Sequence, residues 1–328
     1  MSQELLIVIG LALLFGFLNG LRDVSNIVAT MISSRAFSPR TALAIASISE
    51  FIGPFLFGVV VAQTIADQVV ESQELTLTVI LAALVGAIVW NIITWYFGLP
   101  GSSTHALLGG LVGATWMGVG LDAIKWEGVG KVLAAMFLSP LLGFLFGFLI
   151  TRLIYFLARG ATPRINDFFK SSQFFTAVGL GLTHGANDAQ KTMGMIVLSL
   201  EIAGVLPAFQ VPTWVLVSSA AVMALGASLG GWRMIRTLGG RIFKIRPLDS
   251  FATQLTSALV MLAASLSGAP VSTSHVVSSA IIGVGTAERV TKVRWSVADD
   301  IATAWVITIP ASALLAAGAY WLIELLFR

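Results

Sequence analysis

The chain contains no cysteine and only three histidines, and 11% of its 328 residues are charged. Without cysteine it cannot form disulfide bonds, thiolate metal sites or a cysteine nucleophile, and the scattered histidines lack the spacing of a zinc site. Soluble domains carry about 25% charged residues, so this chain has too few charges to cover a water-exposed surface. The composition therefore argues against a soluble globular protein, a disordered protein and a nucleic-acid-binding protein.

Apolar residues, by contrast, make up 57% of the chain, and the mean hydropathy is +0.92. A bilayer crossing needs about 20 mostly apolar residues. The segments that approach this length are 5–33, 41–62, 75–98, 131–157, 174–200, 213–232, 251–268 and 301–325. The first of them lacks the cationic start and the small-residue cleavage site of a secretory signal. We therefore expect a multi-pass protein of the cytoplasmic membrane, surrounded by bilayer lipid and without a nucleic-acid partner.

Two further apolar stretches are short, and each follows a cluster of Pro, Ser, Thr and His. The clusters are LPGSSTH at 99–105, before the stretch 105–120, and APVSTSH at 269–275, before 276–285. Short apolar arms around a polar tip predict two re-entrant helical hairpins, because irregular backbone at membrane depth must be buried in protein or line a wet cavity. Ten simple spans are the alternative.

Lys and Arg indicate the orientation, because cytoplasmic loops carry these residues in excess. If the two clusters are hairpin tips, fourteen of the nineteen cationic residues fall in loops on one side of the membrane. These loops are 34–40, 152–172, 233–249 and 286–296. We therefore expect these loops to lie in the cytoplasm and both termini to lie outside.

The polar clusters recur along the chain in the same order. NGLRDVSN at 19–26 matches HGANDAQK at 184–191, and the two Ser/Thr/His clusters match each other. Because equivalent loops differ in charge, we predict two inverted repeats, at 1–160 and 173–328, joined by a basic cytoplasmic linker at 161–172. The predicted fold is an all-α polytopic membrane protein with broken helices, which is typical of secondary transporters with a site at mid-membrane.

Five ionisable side chains lie inside these apolar segments, where each costs at least about 2.5–3.5 kcal/mol and usually marks function. They are Arg22, Asp23, Glu50, Asp188 and Lys191. Asp23 and Asp188 are repeat equivalents, and each lies in a polar run that we expect to break its helix. An all-oxygen shell for a hard cation would then form from the freed backbone carbonyls, the two aspartates, Asn26 and Asn187. Alternatively, Arg22–Asp23 and Asp188–Lys191 are simply ion pairs.

The two Ser/Thr/His clusters predict an anion site. Each places hydroxyl groups just before a helical arm, where Ser and Thr cap free amides and where a helix N-terminus attracts anions. Two such tips that meet across a pseudo-twofold axis would surround a tetrahedral oxyanion. The candidate ligands are Ser102, Ser103, Thr104, Ser272, Thr273 and Ser274. Ordinary caps of buried hairpins are the alternative, and His105 and His275 are candidate accessory residues.

At these motifs the chain resembles the PiT family of inorganic phosphate transporters, and the resemblance covers essentially the whole chain. HGANDAQKTMG at 184–194 is similar to the family's GAND signature, and NGLRDVSNIVAT at 19–30 to its first copy. The two Ser/Thr/His clusters resemble its paired PxSxTH-like sequences, and Glu50 stands where a family glutamate is expected. Two residues depart from the family pattern, because Arg22 stands at a usual Asn position and Gln254 at the position of a second glutamate in some members.

The resemblance implies a transporter rather than an enzyme, without a cofactor beyond the transported ions. It implies symport of phosphate with sodium; proton coupling, a metal–phosphate complex and sulfate as the anion are alternatives, and a homodimer is a further expectation. The sodium ligands implied are Asp23, Asn26, Glu50, Asn187 and Asp188, with Gln190 joining the tip hydroxyls around phosphate and Arg22 and Lys191 as accessory residues. An anion channel is the rival from another class.

Coupling to a cation has a physical reason. Phosphate near neutral pH carries one to two negative charges, and each costs about 2.3 kcal/mol per 100 mV to move into a negative interior. Cations bound at Asp23 and Asp188 would also offset the repulsion between these carboxylates and phosphate. We therefore expect the cation sites to fill before phosphate binds.

Overall fold

The computed structural model describes residues 2–71 and 74–327, and these residues form α-helices without a β-strand. The first half contains α1 (Gln3–Asp23), α2 (Ser25–Ser33), α3 (Pro39–Leu56), α4 (Val60–Gln68), α5 (Leu77–Phe97), α6 (Ser103–Gly118) and α7 (Trp126–Leu157). The second half contains α8 (Ile165–Ile202), α9 (Thr213–Leu229), α10 (Trp232–Arg236), α11 (Pro247–Ser267), α12 (Thr273–Glu288) and α13 (Trp295–Phe327). A π-helical turn (Thr237–Arg241) extends α10.

Five of the described helical segments are long and apolar enough to cross a membrane, and the number rises to seven if each bent pair is one span. The bent pairs are α3–α4, with an angle of 78°, and α9–α10 with its π-turn, with an angle of 59°. These pairs occupy equivalent places in the two halves. The prediction of an all-helical polytopic membrane protein with broken helices is confirmed.

The second half repeats the helix lengths of the first. The pair α5 and α11 each have 21 residues, and the pair α6 and α12 each have 16. These helices form the two predicted hairpins. The first arm of each ends at a left-handed glycine, Gly98 with φ 68° and Gly268 with φ 69°. A threonine from the bent pair of the opposite half holds each tip. Thr237 Oγ1 donates to the Gly98 carbonyl (3.0 Å), and Thr64 Oγ1 donates to the Gly268 carbonyl (2.9 Å).

The predicted position of the helix breaks is wrong. Helix α8 runs without interruption through the polar run 184–191, and only Val24, which keeps right-handed helical angles, separates α1 from α2. Polar side chains in these runs have partners beyond their own helix, so the backbone does not need to unwind to satisfy them. The real bends lie near Gly58 (φ 75°) and Gly230 (φ 77°), whose positive φ angles glycine tolerates.

The two halves are interlocked rather than side by side. Helix α1 packs most extensively against α9, α3 against α8, α6 against α13 and α7 against α12. Glycines permit the closest crossings: a Cβ atom added to Gly20 would lie 2.0 Å from the Met223 carbonyl oxygen, and one added to Gly185 would lie 2.3 Å from that of Glu50. Small residues at crossings let helix backbones approach closely, and here they bring α1 against α9 and α3, which carries Glu50, against α8.

Helix α8 begins at Ile165, so most of the stretch 161–172 is helical. The division into repeats at 1–160 and 173–328, with a cytoplasmic linker between them, stays a prediction. The same holds for the position of both termini outside the cell.

Candidate substrate site at the hairpin tips

The candidate site lies where the tips of both hairpins meet α1, α2 and α8. Each polar run presents one face of side chains at positions i, i+3, i+4 and i+7, which are neighbours on a helix surface. In the first run these are Asn19, Arg22, Asp23 and Asn26, and in the second they are His184, Asn187, Asp188 and Lys191. All eight are buried. The site is therefore a polar core inside an apolar protein.

The two tips contact the two carboxylates in equivalent ways. Ser103 Oγ donates to Asp23 Oδ2 and Thr273 Oγ1 donates to Asp188 Oδ2, both at 3.3 Å. Ser274 Oγ lies 3.5 Å from Asp23 Oδ1, so the second tip also reaches the carboxylate of the first half. The predicted proximity of Asp23, Asp188 and both tips is therefore present in the structure.

The remaining tip hydroxyls support the hairpins themselves. Ser102 and Ser272 are N-caps, whose Oγ atoms accept from the amides of His105 (3.1 Å) and His275 (3.3 Å). Thr104 Oγ1 donates to the Val271 carbonyl (3.1 Å) and thereby links the two tips. For these three hydroxyls the structure has the capping and linking contacts that the alternative interpretation expects, and their role as phosphate ligands stays a prediction.

Both carboxylates are paired with buried cations. Arg22 donates through Nε to Asp23 Oδ1 (2.9 Å) and through Nη2 to Oδ2 (3.2 Å), and its Nη1 donates to Asn91 Oδ1 (2.6 Å). Lys191 Nζ donates to Asp188 Oδ1 (2.7 Å) and to Ser103 Oγ (3.3 Å). The ion-pair interpretation thus describes the contacts in the structure.

The structure does not contain the oxygen shell that the broken helices would have formed. Because α8 is continuous, its carbonyl groups at the polar run stay in helical hydrogen bonds. Within the described residues, no group of three or more His, Asp or Glu side chains has the arrangement of a metal site. Asn26 Nδ2 donates to Ser274 Oγ (3.3 Å) and Asn187 Nδ2 to the Ala269 carbonyl (3.3 Å), so both amides face the second tip. Their role as sodium ligands stays a prediction.

Glu50 lies in α3, within a chain of ionisable groups that leads to the site. Its Oε1 is 2.9 Å from His184 Nδ1, and His184 Nε2 is 3.8 Å from Asp188 Oδ2. Glu50 and His184 are fully buried. A proton or a cation that binds at Glu50 is therefore connected electrostatically to the carboxylate at the second tip.

Three other predicted residues have separate surroundings. Gln190 Oε1 accepts from the Ala62 amide at the start of α4 (3.1 Å), rather than from a tip residue. The rings of His105 and His275 stack at 4.4 Å, and His275 stacks on Trp305 at 3.9 Å. The two histidines thus pack the tips together, which is the ordinary packing role.

Sequence reasoning missed two residues that contact the site, Asn19 and Asn91, and it treated His184 as a packing residue. Asn19 Nδ2 donates to Asp188 Oδ2 (3.1 Å), Asn91 accepts from Arg22, and His184 adjoins Glu50. Asn19 and His184 each stand four residues before the aspartate of their run, one helical turn away, and this spacing was the available signal. Asn91 is an amide in the middle of an apolar helix, which is itself unusual.

Comparisons with known proteins identify the family of the chain. A family model described as "Phosphate transporter family" matches residues 19–316. A "probable low-affinity inorganic phosphate transporter" of Rhizobium meliloti is 44% identical over 97% of this chain and 96% of its own length. A protein of Bacillus subtilis with the same description is 42% identical over 96% of both chains. The solved structure "The sodium-dependent phosphate transporter" has a TM-score of 0.88 and 26% identity, and covers 99% of this chain and 100% of its own. The chain belongs to the phosphate transporter family.

Proposed function

We propose that this protein is a symporter that moves inorganic phosphate across the cytoplasmic membrane together with a cation. Phosphate transport itself follows from the family, and the family is one of transporters rather than enzymes. The observation that supports the location of the site is the equivalent contact of the two tips with the two carboxylates, through Ser103 and Thr273. One anion between these tips would contact both halves, which is the arrangement that alternating access requires.

The polar groups at the tips suit phosphate in particular. Ser103, Thr273 and Ser274 offer hydroxyl donors, and α6 and α12 begin at the tips, so that the first amides and the positive dipole ends of both helices face the same region. Hydroxyl and amide donors can hydrogen-bond to phosphate and to sulfate equally well. Hydrogen phosphate also carries a proton, which Asp23 or Asp188 is placed to accept. This difference favours phosphate over a sulfate permease of the same fold.

Sodium is the first candidate for the coupled cation. The similar solved structure is described as sodium-dependent, and carboxylate and amide oxygens are the ligands that hard cations prefer. The ligands predicted from the sequence are Asp23, Asn26, Glu50, Asn187 and Asp188, and sodium at Asp23 or Asp188 would have to compete with Arg22 or Lys191 there. Glu50 differs from the two aspartates, because its neighbour is a histidine rather than a permanently charged Arg or Lys.

The proton is the second candidate, and one observation favours it. Asp23 and Asp188 already pair with Arg22 and Lys191, whereas Glu50 and His184 form a buried pair in which both partners can exchange a proton. Histidine is the side chain that changes charge near neutral pH. A proton taken up at this pair would offset one negative charge of the anion during inward movement.

The experiment is uptake of labelled phosphate into proteoliposomes under an imposed sodium gradient or an imposed proton gradient. We expect phosphate to be concentrated inside the vesicles under one of these gradients, with competition by arsenate and weak competition by sulfate. Equilibration without concentration under either gradient would indicate an anion channel and would contradict the proposal. Preferential transport of sulfate would contradict the assignment of the substrate.

The orientation and the homodimer stay predictions beside this proposal. Because the chain has no cysteine, single cysteines introduced near Ser2 and in the loop 158–164 can be labelled selectively in sealed vesicles. We expect the first to react from outside and the second only after the membrane is made permeable.

A further inference from the structure

We propose that Arg22 and Lys191 are built-in counter-cations of the phosphate site, and that they make phosphate binding independent of sodium at Asp23 and Asp188. The inference rests on the proposed function in one respect, that phosphate binds between the two tips. It replaces the expectation that bound cations must first neutralise these two carboxylates. It concerns binding only, so it holds whether the transport cycle is driven by sodium or by protons.

The internal repeat shows what each cation replaces. Asp23 and Asp188 are separated by 165 residues, and the same separation relates Arg22 to Asn187 and Asn26 to Lys191. At these three positions each half therefore has one carboxylate, one amide and one cation, with the amide and the cation exchanged between the two halves. An amide therefore already stands at the equivalent of each cation: Asn187 at the equivalent of Arg22, and Asn26 at the equivalent of Lys191.

Each cation donates hydrogen bonds directly to the carboxylate of its own half. The Arg22 guanidinium contacts both oxygens of Asp23, as a planar fork does with a carboxylate. Ser103 and Ser274 contact the same two oxygens. Asp188 accepts hydrogen bonds from Lys191, Asn19 and Thr273, and His184 Nε2 lies 3.8 Å from its Oδ2. A sodium ion at Asp23 would have to displace hydrogen-bond donors, and a sodium ion at either carboxylate would approach a fixed positive charge.

The charge at the site supports the same conclusion. Two carboxylates alone would repel a phosphate dianion, whereas two carboxylates with two cations have no net charge. The side chains of Lys191 and Asp188 are fully buried, and those of Arg22 and Asp23 are 3% exposed, so solvent does little to screen these charges. Lys191 Nζ also contacts Ser103 Oγ, so a phosphate at this hydroxyl comes within reach of the ammonium group. Lys191 thus serves the carboxylate and the anion together.

The alternative is that both pairs only stabilise the fold. The two accounts differ in what happens when the cation is replaced by the amide of the other repeat. Under our proposal, Arg22→Asn and Lys191→Asn each leave a carboxylate with an amide on either side and without its cation. A sodium ion then has to bind beside that carboxylate to replace the positive charge that the substitution removed. Under the structural account, each substitution weakens the protein regardless of the salt present.

The test is phosphate binding to the purified full-length protein, in sodium chloride and in choline chloride of equal concentration. We expect the same affinity of the wild-type protein in both salts. We expect Arg22→Asn and Lys191→Asn to bind phosphate about 5- to 150-fold more tightly in sodium than in choline, the usual range of coupling between two ligands. Lys191→Arg, which keeps the charge, should bind phosphate equally in both salts. Asn variants that lose affinity equally in both salts would overturn the inference.

Thermal unfolding gives a second readout that needs no phosphate, in case an Asn variant is unstable. A ligand that binds the folded state alone raises its stability, so sodium should raise the unfolding temperature of Arg22→Asn more than that of the wild-type protein. The control is Arg22→Asn combined with Asp23→Asn, which removes the carboxylate and should abolish the sodium response. An equal response in all three proteins would overturn the inference.

The outcome separates this inference from the proposed function. A wild-type protein that binds phosphate only in sodium would overturn the inference and leave the proposed function intact. A wild-type protein that binds no phosphate in either salt would contradict the proposed site itself.

Discussion

The crossing of α3 and α8 predicts a large effect of one added methyl group at Gly185. A Cβ atom there would lie 2.3 Å from the carbonyl oxygen of Glu50 and 2.6 Å from its Cα atom, whereas ordinary contacts begin at 3.4 Å. Because the obstacle is backbone, the two helices must separate by about 1 Å, and overpacking of this kind costs about 1–3 kcal/mol. The separation also moves Glu50 away from His184 Nδ1, which is 2.9 Å distant.

Gly179→Ala is the matched control, because Gly179 lies on the same helix and the nearest atom to its added Cβ is 4.0 Å away. Both substitutions gain the same helix propensity, about 1 kcal/mol, so their difference isolates the crowding. We expect Gly185→Ala to unfold in detergent at a lower temperature than the wild-type protein and to transport phosphate more slowly than it in proteoliposomes. Gly179→Ala should equal or exceed the stability of the wild-type protein. Equal stability and equal uptake of the two variants would refute the packing argument.

Two further predictions concern stability. Asp188→Asn leaves Lys191 buried without its anion, which costs about 3–5 kcal/mol of stability, and we expect this variant to lose phosphate uptake. The double variant Asp188→Asn with Lys191→Met should recover much of the lost unfolding temperature. No recovery in the double variant would contradict the pairing of Asp188 with Lys191. Gly98→Ala and Gly268→Ala each force a left-handed alanine, at about 1–2 kcal/mol, but only the second places its Cβ within 2.6 Å of a Val60 methyl group, so Gly268→Ala should unfold at the lower temperature.

The sequence alone was sufficient for the features that depend on local pattern and internal repetition. Apolar length predicted the membrane helices, and the paired Ser/Thr/His clusters predicted the hairpin tips at Gly98 and Gly268. The equivalence of Asp23 and Asp188 predicted that both acidic segments would lie close to the two hairpin tips. These features repeat in both halves, so each half supports the interpretation of the other.

The features that sequence reasoning missed depend on contacts between distant segments. The polar run at 184–191 predicted a broken helix because isolated polar groups are costly in a membrane, but Asn19 and Thr273 satisfy Asp188 across the fold. The pairing of Glu50 with His184 joins α3 to α8 through a glycine crossing, which no local pattern reveals. The real bends depend on the single glycines Gly58 and Gly230 rather than on charge.

The most direct test of a single phosphate site between the two tips uses thiol protection. Since the chain has no cysteine, Ser103→Cys and Thr273→Cys each introduce one thiol, and the exposed Ser2, which precedes α1, provides the control Ser2→Cys. The measurement is the rate of modification by a small charged thiol reagent in membrane vesicles as phosphate is increased. We predict that phosphate slows modification at 103 and 273 with the same half-maximal concentration and leaves position 2 unaffected. Protection of one tip without the other would contradict a shared site.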